Sequence, residues 1–109
     1  MANQEFPMSN KTPMELLQEL APEFAKNQME EKALLFEHER YQKLSAKCKF
    51  LIGIGVAAAL GSDTCTQMWV KMARQKSVTA DEIIEAIMVA RYMKQATVND
   101  TVRNTLDTL

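Results

Sequence analysis

FLIGIGVAAALG, residues Phe50–Gly61, decides the fold. Wound as a helix, this stretch is apolar on every face rather than along one stripe, the mark of a helix meant to be buried all round. Eleven apolar or glycine residues from Phe50 to Leu60 are too few to cross a bilayer, which needs about 20. Ser45 precedes the stretch as a candidate N-cap, so the spacing predicts a helix over 46–60 that Gly61 ends. Gly53 and Ala57, and Gly55 and Ala59, are small residues four apart. Each glycine costs a helix about 1 kcal/mol against alanine, so the pattern points to close approach by another helix. A chain of 109 residues has little room to surround such a helix completely.

Outward from this centre the chain reads as helices throughout. Downstream, Ser62 or Asp63 starts a helix to about Arg74, with Cys65, Met68, Trp69 and Met72 on one face. After the turn RQKSV, Thr79 and Glu82 form a Thr-x-x-Glu capping box. The helix behind it carries Ile83, Ile84, Ile87, Ala90 and Met93 at helical spacing, with Arg91 and Lys94 assigned to its last turn. A weaker final helix is expected over about 98–107. Upstream, Met14–Leu20 has the spacing of a short helix, and Pro22 opens another that runs to about Glu37. Residues 38–44 connect, and residues 1–11 are a loose leader before one helical domain over 12–109. The fold class is all-α, a compact array of about five to six helices.

Composition narrows the function classes. A hydrophobic content of 47% fits a globular protein, and the net charge of −1 gives no pull toward nucleic acid or an anionic membrane. The charge is uneven: residues 1–42 carry eight acids and four bases, and 43–109 carry six acids and nine bases. Cys48 and Cys65 do not make a secreted disulfide framework, and MANQEFPMSNKTP has no apolar signal region, so a cytoplasmic location is expected. His38 is the only histidine and has no partners at metal-ligand spacing; it reads as a solvated side chain, and no metal or cofactor is expected. Lys71, Arg74 and Lys76 read as a solvated helix end, and no glycine-rich phosphate loop is present. Met68, Met72, Met88 and Met93 are read as core.

Residues 44–93 are similar to the core of the carboxymuconolactone decarboxylase / alkylhydroperoxidase D-like family. The resemblance lies in a lysine-flanked helix start, an Ala-rich helix ending in Leu-Gly, a cysteine-bearing helix, and a Thr-capped helix reading DEIIEAIMVA. MELLQELAPEFAKN upstream looks like the family's leading helices. The resemblance implies an all-helical subunit in a homotrimer, or a homohexamer built as a trimer of dimers. The family's redox members carry Glu, eleven residues, Cys-x-x-Cys, and His four residues further on. Cysteines three apart share a helical face, a helix N-terminus lowers a thiol's pKa, and the Glu and His relay the proton.

Laid on this chain, that motif is largely replaced. Phe50 stands at the glutamate position, Ser62 at the first cysteine, Cys65 at the second, and Trp69 at the histidine. Ser77 stands where a turn glycine ends the family's cysteine helix. The decarboxylase branch resembles the motif in keeping the histidine, which Trp69 also replaces. Cys65 is the candidate catalytic residue, and Phe50, Ser62 and Trp69 are candidate pocket residues. Three readings stay open. One is a small-ligand-binding or assembly protein with a degenerate site. The second is a peroxide-reducing enzyme using Cys65 with an external resolving thiol. The third is a decarboxylase or isomerase of a small lactone or acid, with Arg91 or Lys71 holding the carboxylate.

Overall fold

The computed structural model describes residues 9–109, which form five α-helices and no strand. They divide into two compact units at Lys43/Leu44. In the first, α1 (Pro13–Leu20) and α2 (Pro22–Glu37) pack as a hairpin, followed by a 3-10 turn at Glu39–Tyr41. Thr12 and Glu15 cap α1 reciprocally: the Thr12 hydroxyl accepts from the Glu15 N–H, and the Glu15 carboxylate accepts from the Thr12 N–H, each at 3.1 Å. These bonds hold the Glu15 carboxyl below its ordinary pKa. Pro22 opens α2, where its missing N–H costs nothing. His38 is exposed, and its Nδ1 accepts from the Arg40 N–H at 3.1 Å. The apolar face expected on α2 is largely open, with Phe24, Met29 and Leu34 exposed and only Ala25 buried.

The second unit holds α3 (Ala46–Ala59), α4 (Asp63–Gln75) and α5 (Ala80–Asp107), with α3 packed against both of the others. The Ser45 hydroxyl caps α3 by accepting from the Cys48 N–H at 3.1 Å. Gly61, at φ 76°, ends it: Ser62 N–H reaches Ala57 O at 2.9 Å and Gly61 N–H reaches Ala58 O at 3.1 Å. That pair of bonds is a Schellman closure, whose left-handed residue is best glycine. α4 ends the same way. Val78 N–H bonds Ala73 O at 3.0 Å and Ser77 N–H bonds Arg74 O at 3.2 Å, but the left-handed residue is Ser77, at φ 67°. Val78 and Ala73, the residues such a closure brings together, are both buried. The core of the unit is Phe50, Ile54, Ala57, Ala73, Val78 and Ile83.

Two expectations are corrected here. First, the expected helices over 80–94 and 98–107 are one helix of 28 residues, α5. The segment KQATVND contains no glycine or proline to stop it, and the Thr97 and Thr101 hydroxyls fold back onto Lys94 O and Thr97 O at 2.6 and 2.8 Å. Arg91 and Lys94 therefore sit in mid-helix, where the dipole of a last turn does not reach them. Second, Met68, Met88 and Met93 are exposed rather than core, as is Ile84; of the α5 stripe only Ile83 is buried. The lack of room around α3 is seen in its own unit, where the described residues do not cover it all round. Ile54 is fully buried, but Ile52, Val56 and Leu60 on the opposite side are 54%, 52% and 78% exposed. Two neighbouring helices suffice for one side of α3 and leave the other open.

Candidate functional site

Phe50 comes from the second turn of α3 and Trp69 from the middle of α4, and the hairpin turn at Leu60–Ser62 brings the two helices side by side. Their rings meet edge to face, with centroids 5.7 Å apart at 68°, a favoured aromatic geometry. Gly53 makes this contact possible. A Cβ at that position would fall 2.6 Å from both Cε3 and Cζ3 of Trp69, inside any allowed contact. Gly55, two residues along, is different: a Cβ there would meet Ala86 O and the Ala90 Cβ at 3.6 Å, ordinary packing against α5. The close approach read from both glycines thus takes two forms, an indole ring seated on Gly53 and α5 packed against Gly55.

Cys65 lies in the first turn of α4, exposed. Its backbone N–H donates to the Ser62 hydroxyl at 3.3 Å, so Ser62 serves as the N-cap of α4. Ser62 and Cys65 are thus brought together through the backbone, and Phe50 and Trp69 through their rings. Cys48 is exposed in the first turn of α3. No cluster of three or more His, Cys, Asp or Glu side chains suited to a metal ion occurs among the described residues.

The larger concavity lies elsewhere, on the open side of α3 and α5. It is a groove of about 610 Å³, and none of Phe50, Ser62, Cys65 and Trp69 borders it. Leu51, Ile52, Val56, Val89, Ala90 and Met93 make its apolar body, with Glu82 and Glu85 at one end and Lys94 and Thr97 at the other. Lys94 Nζ donates to Ala59 O at 2.7 Å, at the C-terminal end of α3. Glu82 accepts from Lys47 Nζ at 2.8 Å and from the Thr79 N–H at 2.9 Å. The Lys47 bond first, then those from Thr79, hold the Glu82 carboxyl down to about 2. A smaller groove of about 370 Å³ runs beside it, with Ala58, Ile87, Arg91 and Gln95 in its lining; Lys71 borders neither. The sequence reading missed this groove because it placed Met93 in the core and, although it expected α3 to be incompletely surrounded, could not say which side stays open. The exposed side chains are of the same types as buried ones, and only the count of available neighbours separates them.

Residues 22–103 match the carboxymuconolactone decarboxylase family, and the chain belongs to that family. The match runs from the start of α2 into the last turns of α5 and so takes in α3, α4 and the turns between them. No match was found among curated proteins or among solved structures. No helix among the described residues is long and apolar enough to cross a membrane.

Proposed function

We propose that the chain is a carboxymuconolactone decarboxylase family protein with a degenerate redox motif, working as a small-ligand-binding or assembly protein in a homotrimer or homohexamer. The observation that carries this reading is the Phe50–Trp69 ring pair. At the positions where the resemblance puts a proton-relaying acid and base, two aromatic side chains pack on each other over Gly53. Neither ring ionises near neutral pH, so neither can move a proton. Ser62 caps a helix where the resemblance puts the partner thiol of Cys65. What remains is surface: Ile52, Val56, Val89 and Met93 border one groove, each more than half exposed. Exposed apolar surface of this kind marks a contact with a ligand or another chain.

The test is consumption of hydrogen peroxide and of an organic hydroperoxide in the presence of a dithiol. The reading expects no turnover above buffer, and it expects light scattering to give a mass well above the 12.3 kDa of one chain. Turnover that disappears in Cys65→Ser overturns it. That result would favour the second reading, for which the exposure of Cys65 is the supporting observation. In that case the thiolate breaks the peroxide O–O bond, an alcohol or water leaves, and Cys65 becomes a sulfenic acid. One external thiol then forms a mixed disulfide with release of water, and a second restores Cys65.

A further inference from the structure

The eight α5 residues that line the larger groove are Glu82, Glu85, Ala86, Val89, Ala90, Met93, Lys94 and Thr97. Read in the opposite direction the set maps onto itself: Val89 onto Ala90, Ala86 onto Met93, Glu85 onto Lys94, and Glu82 onto Thr97. The middle is apolar, one end is acidic and the other basic. From α3 the groove takes only Leu51, Ile52, Gly55, Val56 and Ala59, which bring no charge. Glu82 is already paired with Lys47, whereas Glu85 has no ion pair among the described residues. Lys94 gives one of its three donors to Ala59 O, which leaves two.

We propose that a second copy of this chain fills the groove, its α5 antiparallel to the first about a two-fold axis beside Val89 and Ala90, with Glu85 of each copy paired to Lys94 of the other. This rests on the assembly reading above and gives it a geometry. A two-fold contact uses the same patch on both copies, so the patch must be self-complementary, and this one is complementary only in one direction. Parallel α5 helices would set Glu85 on Glu85 and Lys94 on Lys94. Antiparallel ones form the Glu85–Lys94 pair twice and bring Ile52 and Val56 of each copy over the apolar middle of the other's α5. The charges sit at the rim, so they set direction and register while the apolar middle holds the copies together.

Charge reversal on the full-length chain tests the pairing, with mass read by light scattering over a range of micromolar concentrations and helicity by circular dichroism. Glu85→Lys and Lys94→Glu, each alone, place like charges together twice per pair and should raise the dissociation constant at least about tenfold. The double variant, Glu85→Lys with Lys94→Glu, should return it to within about threefold of the original. Should a single variant lose its helicity, the decision passes to cross-linking. Val89→Cys, in a chain with Cys48→Ser and Cys65→Ser, should give a covalent dimer with a short bismaleimide, and no dimer refutes the axis. A starting chain that is itself a monomer removes both this pairing and the assembly reading. An assembling chain whose mass is untouched by either reversal, or not restored by the double variant, removes the pairing alone.

Discussion

Substituting alanine at Gly53 and at Gly55 should have opposite effects, although the two positions lie two residues apart in one helix. Each change gains about 1 kcal/mol from helix propensity. At Gly55 nothing opposes the gain, since the new methyl would sit 3.6 Å from Ala86 O and from the Ala90 Cβ. Stability should rise by about 0.5–1 kcal/mol. At Gly53 the methyl would sit 2.6 Å from two indole carbons and 3.2 Å from a third, so the body of the ring must move. Trp69 is held by its edge contact with Phe50, and overpacking of this kind costs about 1–3 kcal/mol. The net expectation for Gly53→Ala is a loss of about 1 kcal/mol. The two variants then differ by roughly 2 kcal/mol, or about 8 °C or more in Tm for a domain of this size. Thermal unfolding followed by circular dichroism at one fixed protein concentration reads this difference; the concentration is fixed because assembly would make Tm depend on it. A cycle with Trp69→Ala isolates the cause: without the indole, Gly53→Ala should become stabilising, giving a coupling of about 1–2 kcal/mol. A Gly53→Ala chain as stable as Gly55→Ala, or no coupling to Trp69, would refute the seating of the ring on Gly53.

Further expectations follow from other contacts. Ser77→Gly should stabilise by about 0.5–1 kcal/mol, because it relieves a left-handed serine in the closure of α4, less the entropy glycine adds to the unfolded chain; a lower midpoint in urea would contradict this. Ile54→Asp puts an unpaired charge at a fully buried position and should cost several kcal/mol, so a variant that melts with the original chain would show that α3 is misread. The Glu82 carboxyl, held near 2 in the folded chain against an ordinary value of 4.5, contributes stability that is present above about pH 4.5 and lost as pH falls toward 2. Glu82→Gln should accordingly flatten the acid limb of Tm against pH, and an unchanged limb would place the acid sensitivity elsewhere. Mild peroxide without added thiol should leave no Cys48–Cys65 disulfide. The two cysteines start successive antiparallel helices and lie about 20 Å apart along α3, at 1.5 Å per residue; abundant intrachain disulfide in the folded protein would refute that separation.

The helices were legible because each carries its own punctuation. Ser45, Ser62 and Thr79 were readable as caps, and each accepts the N–H that an N-cap should. Gly61 was readable as a stop, and Ser77 as standing at a glycine position, where it indeed takes a left-handed φ. The single long α5 was misread because threonine and asparagine lower helix propensity without breaking a helix, and Lys94 looked like an end where there is none. The candidate site was legible only as identities. That Phe50 and Trp69 stand at the motif positions follows from counting residues; that they touch depends on how α3 and α4 turn about each other, which no count supplies.

The harder case is α3 itself, where one pattern held two meanings. An apolar surface all round says that every face wants a partner, but not which partners the same chain supplies. Phe50, Ile54 and Ala57 are buried in their own unit, and Ile52, Val56 and Leu60 are left exposed there among the described residues. The difference is set by geometry: α4 and α5 flank α3, and neither can also cap its outer side. The exposed half is joined along the groove by Val89 and Met93 of α5, so the apolar excess of one helix continues onto a second. A lone exposed leucine needs no explanation, but two helices exposing adjoining apolar faces between an acidic and a basic end do. The charges make the face directional, so the excess hydrophobicity of Phe50–Gly61 becomes an argument about orientation as well as burial, and charge reversal at Glu85 and Lys94 puts that orientation to the test.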